Sequence, residues 1–434
     1  MESGRRRWLR GGVVAGLAWA GGAWPARAAA VRLGPGDDLR RALRSGGAGL
    51  RLALLPGHYE QGLALHGVSG TRDAPIVIEA ADPAHPPVFL ARAGHNTVSL
   101  VDCAWVVLRH LVLDGRGLGV DAVKAEGHAR FADFVTLQGL QILNHGADQS
   151  LVGVSTKCPA HGWVVRDCLI AGAGTGMYFG HSNGTAPFTG ARLEGNRILR
   201  PIGYGIQIKH QVANPRPEAV GDTIIRGNLI IKGANSAREP MARPNLLIGH
   251  RPLAGTGADD RTLVTGNVLF GNPTEALLQA EGQLAIYGNL CVNPEGDALR
   301  VMAHNARPRR VAVFHNTVVA RGLGLELSGG EAGYERSVLA NLIYAAEPER
   351  GERAPTGANV LRGFDAAVRD LTAPLLEPPQ LDASLRAGVA LPAVPALPAA
   401  LADLPHARED LRGAARDAAF AGACLPTRTP GRCG

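Results

Sequence analysis

Aromatic side chains are scarce in this 434-residue chain, at 5%, and charged side chains are few, at 19%. The aromatic shortage weighs against a binding surface built from ring platforms. After the first 28 residues no stretch is long and apolar enough to be a membrane helix. The six cysteines contain no Cys-x-x-Cys pair, which argues against a cysteine zinc site. The glycine-rich run 171–176 lacks the Lys-Ser/Thr and the following helix of a phosphate loop. The net charge of +7 is partly local, because residues 1–28 hold Arg5, Arg6, Arg7, Arg10 and Arg27 against Glu2. The remainder carries +3, a mild balance that permits an anionic partner and does not argue for nucleic acid.

What is present is a recurring phrase. It reads WVVRDCLI (163–170), RLEGNRIL (192–199), IIRGNLII (224–231), LVTGNVLF (263–270), AIYGNLCV (285–292), AVFHNTVV (312–319) and SVLANLIY (337–344). Each copy is a β-branched run, a polar corner and a second apolar run. The corners are Asp167, Asn196, Asn228, Asn267, Asn289, Asn316 and Asn341, spaced 22 to 39 residues apart. Weaker copies lie upstream at 105–113 and 134–143. A two-strand unit at this period cannot bury its apolar face alone, so the copies must stack as a β-solenoid. Asn suits the corner because it tolerates left-handed backbone geometry and can bond to the coils above and below. An all-β sandwich would instead show hairpin turns every 8–12 residues and no long register.

The ends differ from the middle. Residues 1–28 read as an export signal of twin-arginine type, with Arg5-Arg6-Arg7 ahead of a short apolar segment and Ala26-Arg27-Ala28 as the cleavage site. A periplasmic or secreted, monomeric protein without a stable membrane anchor is therefore expected. Asp37 or Asp38 can cap a short amphipathic helix over Leu39–Leu43. With the strand at 50–59, that helix forms an N-terminal cap to the stack, whose open end needs cover. Residues 29–345 are expected to be the repeat domain, and 346–434, rich in Ala, Pro and Leu, a tail packed along it. Cys168 and Cys291 are expected in the core, and Cys424 and Cys433 can pair in an oxidising compartment.

The segments AGTGMYFGHSNG (173–184), GYGIQIKHQ (203–211), MARPNLLIGH (241–250), NPTEALLQAEG (272–282) and VFHNTVVARG (313–322) resemble a family of secreted bacterial β-helix proteins. About residues 31–345 resemble the wider right-handed parallel β-helix, or pectate-lyase-like, superfold. The fold expected is thus an all-β right-handed parallel β-helix with a short capping helix and an irregular tail. The superfold hosts many functions and leaves the reaction open.

A third strand per coil runs through 150–157, 176–182, 205–211, 245–251, 275–282 and 298–305. Its outward positions and the turn after it collect Lys157, His181, Lys209, His210, His250, Arg251, Glu281 and His304 in one expected column. The insertions 212–221, 232–244 (with Arg243) and 252–262 widen the same side, as loops around a solenoid's binding face do. Lys209 and Arg251 on consecutive coils resemble the Lys–Arg pairing of alginate lyase and chondroitinase B type enzymes. Their contexts, Lys209-His210-Gln211 and His250-Arg251-Pro252, depart from the Lys-Ser-Ser and Arg-His-Gly of that type.

That resemblance implies β-elimination on an acidic polysaccharide. Lys209 or His210 would be the base, Arg251 the carboxylate clamp or acid, and His250 the acid or an orienter. Lys157, Tyr178, His181, Gln211, Arg243 and His304 are the expected substrate contacts. Glu281 is a candidate calcium ligand or holds a His tautomer, and no cofactor is certain. A glycan-binding β-helix and a glycoside hydrolase are the alternatives. The hydrolase would place several Asp on this face, where Glu281 alone is acidic.

Overall fold

The computed structural model describes residues 30–352, 358–416, 419–424 and 433–434. The export signal read at 1–28 lies outside the described residues. The chain winds into a right-handed parallel β-helix in which three columns of short parallel strands run the length of the stack. The first column starts at Val31–Leu33 and Arg51–Leu54 and ends at Arg336–Leu339. The second runs from His58–Tyr59 to Val360–Arg362. The third begins at Leu63–His66 and includes Val123–Ala125, Val152–Thr156, Thr175–Phe179, Ile206–Ile208, Leu246–Ile248, Leu278–Ala280 and Leu299–Val301. Near the C-terminal end the second and third columns merge in the long strands Thr317–Leu327 and Leu342–Gly351.

Alternate residues enter the lumen because side chains in a strand have period two. In the third column Val154, Met177, Ile206, Leu246, Leu278 and Leu299 therefore stack inward at full burial. The free cysteines Cys103, Cys158, Cys168 and Cys291 are buried in the same core. At the open N-terminal end, helix α1 (Leu39–Ser45) buries Leu39 and Leu43 against the first coils. The Asp38 side chain accepts from the Arg41 N–H at 2.9 Å.

The corners form a continuous ladder. Asn196, Asn228, Asn267, Asn289, Asn316 and Asn341 are each at most 1% exposed. Each Asn Oδ1 from Asn228 onward accepts both the backbone N–H and the Nδ2 of the preceding corner, at 2.9–3.1 Å. Each Nδ2 also donates to a backbone carbonyl, as Asn267 does to Ile225 at 2.9 Å. Asp167 is not in the ladder. It occupies the left-handed position, at φ 55°, which Gly195, Gly227, Gly266, Gly288, His315 and Ala340 fill on later coils. Cys168 holds the ladder site, its N–H donating to Asn196 Oδ1 at 3.1 Å. The left-handed residue is thus the one before the Asn, and the Asn is selected for the inter-coil bonds.

The stack outlasts residue 345, where the repeat was expected to end. Val360–Arg362 pairs in parallel with Leu342–Tyr344, and Asn359 closes the ladder by accepting from Asn341. That coil is only 18 residues long, so its corner falls outside the period of the others. The tail beyond it carries α2 (Ala366–Asp370) and the Cys424–Cys433 disulfide, with Cα atoms 6.0 Å apart. It packs Leu371, Leu381, Ala383, Val394 and Ala423 on the outer side of the second column, against Ile231, Phe270, Leu290, Val292 and Tyr344. Leu404 and Ala407 meet Leu263, Ala285, Tyr287 and Phe314 outside the first column. Among the described residues the third column's outer face receives none of this cover.

Replacing one interior corner strands two donors on the preceding coil and an acceptor on the next, each costing about 1–3 kcal/mol when buried. Asn267→Ala is expected to lower stability by about 3 kcal/mol or more, while Asn359→Ala, at the ladder's end, costs about half as much. Urea-denaturation midpoints followed by circular dichroism measure the difference; equal losses would show that the ladder is not cooperative.

Candidate active site

The uncovered face of the third column has a fixed register. Ser99, Lys124, Ser155, Tyr178, Gln207, Leu247, Gln279 and Arg300 occupy equivalent outward positions on successive coils. Coils are about 4.8 Å apart. Two residues further along, the ladder continues through Lys157, Gly180, Lys209 and Gly249. Gly180, at φ 96°, leaves room between the lysines, since a Cβ there would sit 3.1 Å from Lys209 Cβ.

The chain has only four lysines, Lys124, Lys157, Lys209 and Lys232, against 41 arginines. The fold gathers Lys124, Lys157 and Lys209 on this face, and buries Lys232 in the turn after a second-column strand. Lys157 Nζ lies 3.2 Å from the Tyr178 ring centroid, and Lys209 Nζ from the following coil lies 5.5 Å from it. Burial pushes the Lys157 amine down to about 8, with nearby Lys124 and Lys209 adding to the effect and Asp121 opposing it. Burial, then Arg243, lowers the Lys209 amine as well. Lys124 pairs with Asp121 at 3.1 Å. Lys232, only 2% exposed, donates to the carbonyls of Gly203 (2.7 Å) and Arg243 (2.6 Å), and burial brings its amine down to about 7.

Arg243 reaches this cluster from the 232–244 insertion. Its guanidinium sits 5.6 Å from the Tyr204 ring and donates to the Ala242 carbonyl at 2.6 Å. Burial pushes the Tyr178 hydroxyl up to about 12, with a further contribution from Tyr204. Tyr204 itself is raised chiefly by burial. The ring hydroxyls are therefore protonated at neutral pH.

Lys157, Tyr178, Lys209 and Arg243 thus come together, and the rest of the expected column divides. His210 and His250 stack at 5.3 Å beside Lys209, and burial followed by the neighbouring His250 lowers His210. His250 is 7% exposed and its Nδ1 donates to the Arg251 carbonyl at 2.7 Å. His304 is exposed and close enough to His210 to depress it. His181 is exposed and bonds Asn183 Oδ1 at 2.9 Å.

Arg251 does not face the groove. It is 1% exposed and donates to the carbonyls of Phe188 (2.9 Å) and Arg261 (3.3 Å). Burial brings it down to about 10. Gln211, equally buried, donates to the same Phe188 carbonyl at 3.1 Å. The strand ends at Ile248, so the alternation that would have turned Arg251 outward stops before reaching it.

Glu281 is also spoken for. Its oxygens accept from Asn305 N (2.6 Å), Asn305 Nδ2 (3.0 Å) and Ala306 N (2.9 Å), which ties down the 303–306 turn. A calcium role would need further ligands, and among the described residues no group of three or more His, Cys, Asp or Glu is placed to hold a metal ion.

The sequence reading missed the upstream end of the face. Glu126 accepts from Asn96 Nδ2 (2.8 Å) and Ser99 Oγ (2.9 Å), and Ser99 Oγ lies 2.9 Å from His66 Nε2. Asp121, Lys124 and Glu126 belong to a coil whose corner, His110-Leu111, carries no Asn. The lysine count was the signal available in the sequence.

No family model matches this chain, and no curated protein matches it. Among solved structures the chain is similar to an alginate lyase from Paenibacillus sp. str. FPU-7, at 18% identity and TM-score 0.45 over 75% of this chain and 95% of that one. It is similar also to the pectate lyase Pel9A, at 13% identity and TM-score 0.44 over 92% and 91% of the two chains. A third is the catalytic unit of the GH87 alpha-1,3-glucanase from Streptomyces thermodiastaticus strain HF3-3, at 13% identity and TM-score 0.48 over 75% and 64%. The class of protein is that of the right-handed parallel β-helix, which the strand columns define on their own. The chemistry has to be argued from the groove.

Because the Lys157 amine lies below its unfolded value of 10.5, folding favours its neutral form. Its unfavourable contribution to stability is fully present below pH 8 and is relieved as pH rises from about 8 towards that unfolded value. In lysine-labelled protein, one of four Cε resonances is expected to titrate near pH 8 and to vanish in Lys157→Arg; a midpoint near the unfolded value would refute the assignment.

Proposed function

We propose that the protein is an exported enzyme that cleaves an anionic, uronate-containing polysaccharide by β-elimination in this groove. The observation that carries the reading is the location of three of the four lysines. Arginine supplies positive charge throughout the chain but stays protonated at working pH, whereas a buried lysine can lose its proton and act as a base. Lys124, Lys157 and Lys209 share one face, and the amines of Lys157 and Lys209 are lowered there.

A polysaccharide laid along the stack meets Arg243 and Lys209 as cations for a uronate carboxylate. Their charge stabilises the carbanion that forms beside it. The neutral Lys157 amine removes the proton α to the carboxyl. The electron pair forms the C4–C5 double bond as the C4–O bond breaks. The leaving oxygen takes the proton of the Tyr178 hydroxyl, and the Lys157 ammonium restores it. Within this reading His210 and His250 flank the neighbouring sugar. Arg243 takes the clamp role for which Arg251, bonded to two carbonyls, is unsuited.

A hydrolase would need a free carboxylic acid and a carboxylate across the scissile bond. Asp121 and Glu126 lie on this face but are engaged with Lys124, Asn96 and Ser99. The elimination reading is therefore preferred.

Absorbance at 232 nm is expected to rise when the protein acts on one member of an alginate, pectate and chondroitin panel, measured with and without a chelator. Lys157→Arg keeps the charge and loses the base, so the rate should fall by about 10²–10⁴. A rise in reducing ends without absorbance would show hydrolysis. Binding unchanged in Lys157→Arg, with no product from the wild type, would show a glycan-binding protein.

A further inference from the structure

Two outward side chains of the groove are sealed and unpartnered. Ser155 and Gln207 occupy the same outward position as Tyr178, on the coils before and after it. Both are 0% exposed. Ser155 Oγ, Gln207 Oε1 and Gln207 Nε2 have no hydrogen-bond partner. The Tyr204 hydroxyl lies close enough to Gln207 to respond to it, yet no bond of acceptable geometry joins them.

A buried carboxamide left unpaired is costly. The fold does not require it, because Leu247 fills the equivalent position on the next coil. Gly153, Gly176 and Gly205, two residues earlier on these three coils, let the coils pack closely, since a Cβ at Gly176 or Gly205 would collide with the core residues Ile198 or Ile230 and with the carbonyl of the next coil.

We infer that Gln207 and Ser155 form a buried subsite for a pair of sugar hydroxyls, opened when the anionic ligand draws Lys209 from the Tyr178 ring. The inference rests on the groove being a polysaccharide site. A carboxylate would call for donors alone. The carboxamide offers one donor group and one acceptor, and the serine hydroxyl offers both, which fits neighbouring hydroxyl groups. Gln207 is then a specificity-determining residue kept at the expense of stability.

Gln207→Met preserves side-chain length and removes the unpaired groups. Its Tm should rise by about one to two degrees. Its Kd for the polyuronate, read by titration calorimetry, should increase about ten-fold. O-acetylating the polymer should weaken wild-type binding by a similar factor and leave the variant's binding unchanged. A fall in Tm, an unchanged Kd, or equal sensitivity to acetylation in both proteins would overturn the inference. Binding without a rise at 232 nm sinks only the elimination reading and leaves the Kd comparison decisive here. Failure to bind any polyuronate of the panel overturns both.

Discussion

Everything in this molecule depends on one backbone constraint: parallel coils must meet in register at a corner that cannot be hydrated. The asparagine ladder meets it. A carboxamide carries an acceptor and two donor hydrogens on one short arm, so each corner satisfies the N–H and the side chain of the coil before it and is satisfied by the coil after it. Aspartate lacks the donor, and serine is too short to span two coils. The ladder runs from Asn196 to Asn359. Upstream, Leu111, Leu140 and Cys168 take its place; Cys168 still donates its N–H to Asn196, and the Leu111 and Leu140 corners are buried in the core beside inter-coil backbone bonds.

A solenoid with three strand columns has three outer faces, and nothing in the repeat itself distinguishes them. The tail does. By burying its leucines, valines and alanines on the first two columns, it leaves the third in contact with solvent. The insertions at 212–221, 232–244 and 252–262 wall that face, and the buried Lys232 ammonium pins the carbonyl of Arg243 to the stack. Parallel register then turns residues separated by roughly one coil of sequence into neighbours about 4.8 Å apart. Lys157, Tyr178 and Lys209 meet for that reason alone.

The fold was legible because its signal is redundant. Seven copies of one phrase outvote any error in a single copy, and the capping helix carried its own Asp38 signal. The corner was read one residue early at Asp167, because Asp and Asn look alike in a pattern while φ distinguishes them. The site was half legible. Lys157, Lys209, Tyr178 and Arg243 followed from strand alternation and the insertions. Arg251 and Gln211 did not, since they lie past the end of a strand, where alternation no longer dictates direction. Glu281 pointed the right way, but its partners sit in a turn, at 305–306, that no periodicity predicts. Asp121 and Glu126 stayed hidden because their coil has no Asn corner to align it.

The division of labour between arginine and lysine bears on what the groove can do. Among the described residues arginine supplies most of the ion pairs, such as Arg51 and Arg109 on Glu79. In the groove, Lys157 rests on the face of Tyr178 instead of on a carboxylate. An aromatic face partly compensates an ammonium for lost water without fixing its proton, whereas a salt bridge would hold the amine charged. The amine therefore remains near the point of losing its proton until an anion arrives. An anionic sugar whose carboxylate is held by Lys209 and Arg243 would bring a weakly acidic C–H beside the Lys157 nitrogen.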